Sequence, residues 1–147
     1  MRIESKAYGP IEISERQVIT FPVGIFGFDR LHEYALLDAA QQGFYWLQSL
    51  EDPEIAFILL NPYDLRPDYV LDVPDEDLES IDYENDEDIL VFAIVTIPED
   101  ESKISANLQG PVIINRVEQL GRQAISLDSR WHTKHLILEE LASTGSR

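Results

Sequence analysis

The chain has 147 residues, 44% of them hydrophobic, with 28 Asp and Glu against 11 Lys and Arg and no Cys. This length and composition predict one globular domain whose core needs no disulfide or metal, and the lack of Cys excludes disulfides, thiolate zinc sites and a cysteine nucleophile. No apolar run approaches the roughly 18–20 residues that span a bilayer, and the N-terminal residues do not resemble a signal peptide. We therefore expect a cytoplasmic protein.

The negative charge is concentrated in the middle third of the chain. Residues 51–102 contain eighteen acidic residues and one base, Arg66, for a net charge of −17, whereas residues 1–50 carry −2 and residues 103–147 carry +2. Such a field repels nucleic acids and anionic membranes and attracts basic proteins. We expect no direct contact with nucleic acid or membrane, and either a solvated, solubilising surface or a docking face for a basic partner. The candidate acidic face comprises Asp72, Asp75, Glu76, Asp77, Glu79, Asp82, Glu84, Asp86, Glu87 and Asp88.

Strand patterns dominate the chain. Short β-branched or aromatic segments between Gly, Pro and Asp turns are typical of strands. In chain order they predict strands at residues 2–8, 11–14, 18–21, 34–38, 44–50, 55–60, 89–97, 103–108, 112–115 and 123–127. Residues 89–97 are apolar at almost every position, which predicts a central strand covered on both faces. Gly110 and Pro111 predict a break between the two strands that flank them.

Helical content is predicted to be low. Residues 75–81 follow Pro74 and begin with three carboxylates, which favour a helix N-terminus. Residues 29–33 predict a short turn, residues 135–141 are compatible with either a strand or a helix, and residues 142–147 predict a frayed tail. A chain with many short strands and one or two short helices is typical of a β-barrel or a β-sandwich.

Common catalytic and metal-binding signatures are absent from the sequence. It contains no nucleophile elbow, phosphate-binding loop, dinucleotide fingerprint or zinc-protease motif. The acidic run at residues 82–88 begins like a calcium loop, but Glu87 stands where such a loop needs Gly, and Ala93 where it needs a bidentate Glu. His132 and His135 would share one face of a helix, but a metal site would need a third ligand from elsewhere. The sequence predicts no cofactor and no metal, and it favours binding over catalysis, with a small carboxylate-dependent enzyme as the alternative.

Three stretches, taken together in order, resemble the FliW family of flagellar assembly factors. They are residues 21–28 (FPVGIFGF), residues 46–49 (WLQS), and residues 107–115 (NLQGPVIIN) followed by residues 121–123 (GRQ). The resemblance extends from Ile3 to about residue 136. Each motif alone is weak, whereas the ordered set is specific.

Three local departures from the family pattern affect only the expected loop shapes. Phe26 stands where Pro is usual, and Gly110 stands where Ala is usual. Trp131 and Lys134 lie near positions where Tyr and Arg are commoner.

The resemblance implies a small, mainly antiparallel β-barrel-like domain without a cofactor. It implies a regulator of flagellum biogenesis that sequesters the translational repressor CsrA, a basic RNA-binding protein, and so frees the flagellin message, and that also binds flagellin. A flagellin-binding chaperone without a role in translation is the alternative. The family motif loops supply the candidate binding residues Phe21, Gly24, Phe26, Gly27, Phe28, Gln48, Ser49, Asn107, Leu108, Pro111 and Asn115.

These motif residues are expected to differ in burial. Large apolar side chains such as Phe21 and Leu108 are expected in the core, and the amides of Gln48 and Asn107 need hydrogen-bond partners wherever they are buried. Phe26 lies between two glycines and is the expected surface contact. If flagellin presents an amphipathic terminal helix, an apolar groove with Phe26 on one wall is its expected site.

Overall fold

The strand-rich sequence folds into a closed barrel, shown by a computed structural model that describes residues 1–145. Within these residues the β-strands are β1 Arg2–Ser5, β2 Gly9–Glu12, β3 Val18–Thr20, β4 Glu33–Asp38, β5 Phe44–Ser49, β6 Ala56–Leu60, β7 Ile89–Thr96, β8 Ser105–Asn115, β9 Leu120–Gln123 and β10 His135–Leu136. The α-helices are α1 Pro62–Leu65, α2 Asp75–Glu79 and α3 Ile137–Gly145. None of these helices has the length and apolarity needed to cross a bilayer.

Seven strands close the barrel. The order β8-β7-β6-β5-β4-β3-β9 returns to β8 through the β8–β9 hairpin. Neighbouring strands are antiparallel except at one junction, where Thr20 of β3 pairs in parallel with Leu120 of β9. The predicted mainly β, barrel-like fold is therefore confirmed, and the barrel is mixed because of this junction.

The barrel interior and a second apolar layer outside it share strand β7. Phe92 of β7 packs in the interior cluster with Phe21, Tyr34 and other buried side chains. Ala93 and Val95 face the opposite side, where they belong to a cluster that includes residues of α1, α3 and the segment before β10. This arrangement confirms the predicted central strand covered on both faces as far as Val95, whereas Thr96 and Ile97 are exposed and Ile97 lies after the end of β7.

The predicted break at Gly110 and Pro111 is wrong, because β8 runs through both residues. The pairing with β7 shifts there: Val112 pairs with Phe92, whereas Asn107 pairs with Ile94. Residues 108–111 therefore bulge from the ladder opposite one residue of β7, and Pro111, which has no N–H to donate, is tolerated at such a bulge.

Most other predicted elements occur with shifted ends. The predicted strand 123–127 is mostly wrong, because β9 ends at Gln123, and the first predicted strand stops at Ser5, because the hairpin turn begins there. The predicted helix at 75–81 is confirmed as α2. The ambiguous segment after residue 134 contains both alternatives, β10 and then α3. α3 also takes in residues 142–145 of the predicted frayed tail, and residues 146–147 lie outside the described residues.

Candidate functional site

The first motif stretch forms a tight loop with an exposed tip. Gly24 has a φ of 72°, and a Cβ there would lie 2.7 Å from the carbonyl oxygen of Phe28, so only Gly fits. Phe28 donates its N–H to the carbonyl of Ile25 at 2.7 Å, which turns the chain at Phe26 and Gly27. Phe26 is 53% exposed at this tip, where the sequence placed it.

A buried amide joins this loop to the bulge in β8. The Gln123 Oε1 accepts from the N–H of Phe26 at 3.1 Å, and its Nε2 donates to the carbonyl of Gly110 at 2.9 Å. The Asn107 Oδ1 accepts from the N–H of Gly110 at 2.8 Å and so fixes the bulge from the other side. The first and third motif stretches are therefore one connected structure.

A cleft of about 330 Å³, the motif cleft, lies over this junction. Ile25, Phe26 and Phe57 contribute apolar walls, while Asn107 and Lys134 contribute polar groups. Phe28 stands behind this wall, with its ring edge-on to Phe57 at 5.1 Å between centroids. The cleft combines apolar side chains with one cation and two amides, which suits a binding surface.

Other candidate motif residues lie elsewhere and organise the fold. The Gln48 Oε1 accepts from the N–H of Lys6 at 2.8 Å, and its Nε2 donates to the carbonyl of Pro53 at 3.1 Å. The Ser49 Oγ accepts from the N–H groups of the turn that follows, including that of Asp52 at 3.0 Å. The second and third motif stretches thus contain buried polar anchors, but the second does not join the motif cleft.

Asn115 performs a similar task at the end of β8. Its Nδ2 donates to the carbonyl of Ile81 at 2.9 Å, and its Oδ1 accepts from the N–H of Val117 at 3.1 Å. Phe21 and Leu108 are buried, as expected of large core side chains, whereas Phe28 is only partly buried. Pro111 is buried within β8 and not in a turn.

The acidic face follows α2 and the connection from α2 to β7. Asp77 pairs with Arg122 at 3.0 Å, and Asp88 pairs with Arg116 at 3.8 Å. The other eight carboxylates are exposed and form no ion pair with any described residue. Their unpaired charge is available to a partner.

A mainly apolar opening, the apolar groove, has a volume of about 620 Å³. It lies between the N-terminal hairpin, the outer wall of the barrel and α3, and its lining includes Tyr8, Trp46, Ile97, Leu138 and Leu141. Phe26 lines the motif cleft instead. The expected groove with Phe26 on one wall is therefore a different opening from this one.

His132 and His135 form hydrogen bonds that connect them to each other and to α3. Buried His135 accepts the N–H of His132 at Nε2 (2.8 Å), and its Nδ1 lies 3.0 Å from the Glu140 Oε1. The guanidinium groups of Arg66 and Arg130 both stack on the Trp131 ring, 4.9 and 4.7 Å from its centre. In residues 1–145 no three His, Cys, Asp or Glu side chains are grouped to hold a metal ion.

An ion-pair network holds the two arginines in place. Asp68 pairs with both, at 2.8 Å from Arg66 and 3.6 Å from Arg130. The hydrogen bond from Arg66 lowers the pKa of the Asp68 carboxyl, and the same bond raises the pKa of Arg66. The tryptophan that departs from the family pattern is thus buried beneath paired cations.

Sequence reasoning missed Gln123 as the residue that joins the motif loops. The signal was present, because an amide in a β-branched or apolar strand must find partners, as was argued for Gln48 and Asn107. It also missed the cleft-lining side chains of Ile25 and Lys134, whose convergence depends on contacts between distant segments.

Comparisons with known proteins agree on one family. The family model described as FliW protein matches residues 2–137. A protein of Treponema denticola named flagellar assembly factor FliW is 49% identical over 99% of each chain, and one of Treponema pallidum with the same name is 44% identical over 97% of this chain and 95% of its own. A crystal structure of the flagellar assembly factor FliW has a TM-score of 0.85 and 33% identity, covering 93% of this chain and 96% of the other.

Proposed function

The chain belongs to the FliW family of flagellar assembly factors and so has a role in flagellum assembly, and from that premise we propose that it is a regulatory binding protein that captures CsrA and flagellin in the cytoplasm. The observation that carries the proposal is the acidic face, with eight exposed carboxylates that lack an ion-pair partner among the described residues. Surface acids that only solubilise a protein do not need to gather on one segment of it. A basic RNA-binding protein is the partner that this field would attract.

Binding through the acidic face also explains relief of translational repression. CsrA, as a basic repressor, holds its message through contacts with phosphates, and those contacts weaken when negative charge is brought near. The chain carries a formal net charge of −17. Once bound to CsrA, the chain repels the flagellin message electrostatically, in addition to blocking any RNA-binding surface that it covers.

The apolar groove supports the second part of the proposal, capture of flagellin. Ile97, Leu138 and Leu141 are each about half exposed along the groove, which leaves apolar surface for an amphipathic helix. The motif cleft with Phe26 is the smaller alternative, at about 330 Å³ against about 620 Å³. The groove is therefore the favoured site for flagellin, and the acidic face is the favoured site for CsrA.

A binding role fits the carboxylates better than the enzymatic alternative. General acid and base catalysis by carboxylates needs a pair held in a protected site, where burial separates their pKa values. No Asp or Glu of the described chain is buried. The acids lie on the surface, where they suit long-range attraction.

Size-exclusion chromatography tests the proposal directly. The purified chain is run alone, with CsrA, and with unassembled flagellin. We expect co-elution with each partner in a complex of defined stoichiometry. Separate elution of CsrA at micromolar concentrations would contradict the regulatory role, and co-elution of flagellin alone would leave the chaperone role.

Paired substitutions locate the flagellin site. Leu138→Ser places a hydroxyl in the apolar groove, Phe26→Ser changes the motif cleft, and Val117→Ser is the control at an exposed position outside both. We expect Leu138→Ser to weaken flagellin capture and Val117→Ser to have no effect. Loss of capture with Phe26→Ser alone would move the site to the motif cleft.

A further inference from the structure

A cleft with tyrosine walls opens inside the acidic face. Its volume is about 580 Å³, which is within the usual range for binding pockets. Tyr45 of β5, Tyr63 of α1 and Tyr83 of the connection after α2 all line it, and Leu78 and Leu90 add apolar surface. Three separate elements thus bring aromatic rings to one opening, called here the tyrosine cleft.

Two of the three cleft rings pack against neighbouring aromatic rings, and the hydroxyl groups of all three are free. Tyr45 packs edge-on against Phe92 at 5.2 Å between ring centres, and Tyr63 packs edge-on against Tyr69 at 5.7 Å. Within residues 1–145 none of the three cleft hydroxyls has a hydrogen-bond partner. The cleft therefore offers fixed aromatic surfaces together with unused hydroxyl groups.

Asp86 supplies the charge at the cleft. Its carboxylate lines the opening, is exposed, and forms no ion pair with the described residues. Burial raises the pKa of Tyr63, and the negative charge of Asp86 is the second cause of that rise, which indicates that the carboxylate acts on this phenol. A cation entering the cleft would meet both an aromatic ring and a carboxylate.

We propose that the tyrosine cleft is the recognition pocket for an arginine side chain of the basic protein that docks on the acidic face, an inference that rests on the proposed function. A guanidinium group is planar, stacks on aromatic rings and donates a forked pair of hydrogen bonds to a carboxylate. Tyr63, Tyr83 and Asp86 offer these surfaces together. Lysine is a compact, strongly hydrated charge and matches the cleft less well.

Other occupants fit the cleft less well. An anionic ligand would be repelled by Asp86 and by the neighbouring unpaired acids of the acidic face. A purely apolar helix would cover the Asp86 carboxylate without a partner for it, which is costly. An arginine on a basic surface satisfies both the charge and the aromatic walls, and arginine is among the residues that most often dominate binding energy at interfaces.

The first test measures the cleft itself, without any protein partner. The full chain, with its six tyrosines labelled in their rings with carbon-13, is titrated with the peptide acetyl-Gly-Arg-Gly-amide and separately with its lysine counterpart. We expect saturable shifts of the Tyr63 and Tyr83 ring signals, with the arginine peptide bound at least about threefold more tightly. Equal affinity for the two peptides, or shifts that leave these two rings unchanged, would overturn the inference.

Matched variants tie the signal to the proposed contacts. Asp86→Asn removes the cleft charge, and Glu4→Gln removes one exposed charge of β1 that lies outside both the acidic face and the cleft. Tyr63→Leu removes one ring, and Tyr8→Leu removes an exposed ring elsewhere. Thermal unfolding of each variant confirms that the domain remains folded.

The second test uses CsrA as the partner and separates failure of this inference from failure of the proposed function. We expect Asp86→Asn and Tyr63→Leu each to weaken CsrA binding by about three- to tenfold, and the two controls to change it by less than twofold. If wild-type chain binds CsrA and the cleft variants bind it equally well, the inference is wrong and the proposed function stands. If wild-type chain does not bind CsrA, the proposed function is wrong, and the peptide titration alone decides whether the cleft accepts arginine.

Discussion

Replacing Gln123 with Leu tests whether one buried amide holds the two motif loops together. Gln123 is 5% exposed, and its side chain bridges the N–H of Phe26 at 3.1 Å and the carbonyl of Gly110 at 2.9 Å. Leu is similar in volume to Gln and keeps the packing of the site. The substitution therefore removes the two hydrogen bonds with little change in shape.

The expected loss of stability comes from the two backbone groups that would lose their hydrogen-bond partner. The Gly110 carbonyl is in buried surroundings and the Phe26 N–H is partly buried, and a buried polar group without a partner costs about 1–3 kcal/mol. Allowing for water at the Phe26 N–H, we expect Gln123→Leu to lower the free energy of unfolding by about 2–4 kcal/mol. For a domain of this size that corresponds to a fall in melting temperature of roughly 5–15 °C.

Urea unfolding followed by tryptophan fluorescence measures this cost. Gln42→Leu is the control, because Gln42 is exposed and makes no side-chain hydrogen bond to a described residue, so its change is expected within about 0.5 kcal/mol. A Gln123→Leu protein as stable as the Gln42→Leu control would refute the reasoning, because the loop at Phe26 would then be held by other contacts. Flagellin and CsrA binding by the same variant would show whether either partner needs the motif cleft.

Three further predictions concern charge, pH and metal. Reversing four exposed acids to Lys reduces the net negative charge from −17 to −9 and is expected to slow association with CsrA in stopped-flow measurements, most strongly at low salt. An association rate that changes neither with salt nor with these reversals would leave the acids a solubilising role. Asp82 is kept, because its φ of 56° disfavours Lys, and the four reversed acids are Asp75, Glu76, Glu84 and Glu87. Burial, and then the charge of Glu51, raises the pKa of Tyr34 to about 12, so the folded protein holds this proton more tightly than the unfolded chain and its stability falls as pH rises from 10 to about 12. Tyr34→Phe should flatten that fall in alkaline urea titrations, and an unchanged pH profile would contradict the assignment. EDTA should leave the melting temperature unchanged, because the described residues contain no group of three His, Cys, Asp or Glu side chains that could hold a metal ion, and a fall of many degrees would contradict this prediction.

Local sequence patterns were sufficient to predict those elements that depend on a single local feature, such as a run of apolar residues or a cluster of carboxylates. The apolar stretch that forms β7 is covered on both faces up to Val95 because almost every position is apolar. The carboxylates at residues 75–77 mark the start of α2 because they favour the positive end of a helix. Asn61 followed by Pro62 is an equally clear signal for the start of a helix, although no helix was predicted there. The Asn61 Oδ1 accepts from the N–H of Tyr63 at 2.9 Å and so caps α1.

Features that depend on distant segments were not predictable in this way. Gly110 and Pro111 predicted a break because both residues are unfavourable inside a regularly hydrogen-bonded strand. β8 accommodates them because they lie at a β-bulge. The parallel pairing of Thr20 with Leu120 joins residues one hundred positions apart and leaves no local trace.

The candidate sites also differ in whether local sequence could predict them. Exposure of the acidic residues and of Phe26 followed from composition and from flanking glycines. The tyrosine cleft did not, because Tyr45, Tyr63 and Tyr83 come from three elements and meet only when the barrel closes. The functions of Gln48 and Asn107 likewise separated only when their hydrogen-bond partners were known.

Displacement of RNA from CsrA tests the central claim most directly. CsrA is bound to a fluorescently labelled flagellin leader RNA, the chain is titrated in, and anisotropy reports the bound RNA. We predict that anisotropy falls to the value of free RNA as the chain saturates CsrA, and that higher salt weakens this effect. Anisotropy that stays at the value of the CsrA–RNA complex under saturating chain would contradict the claim that this protein relieves translational repression.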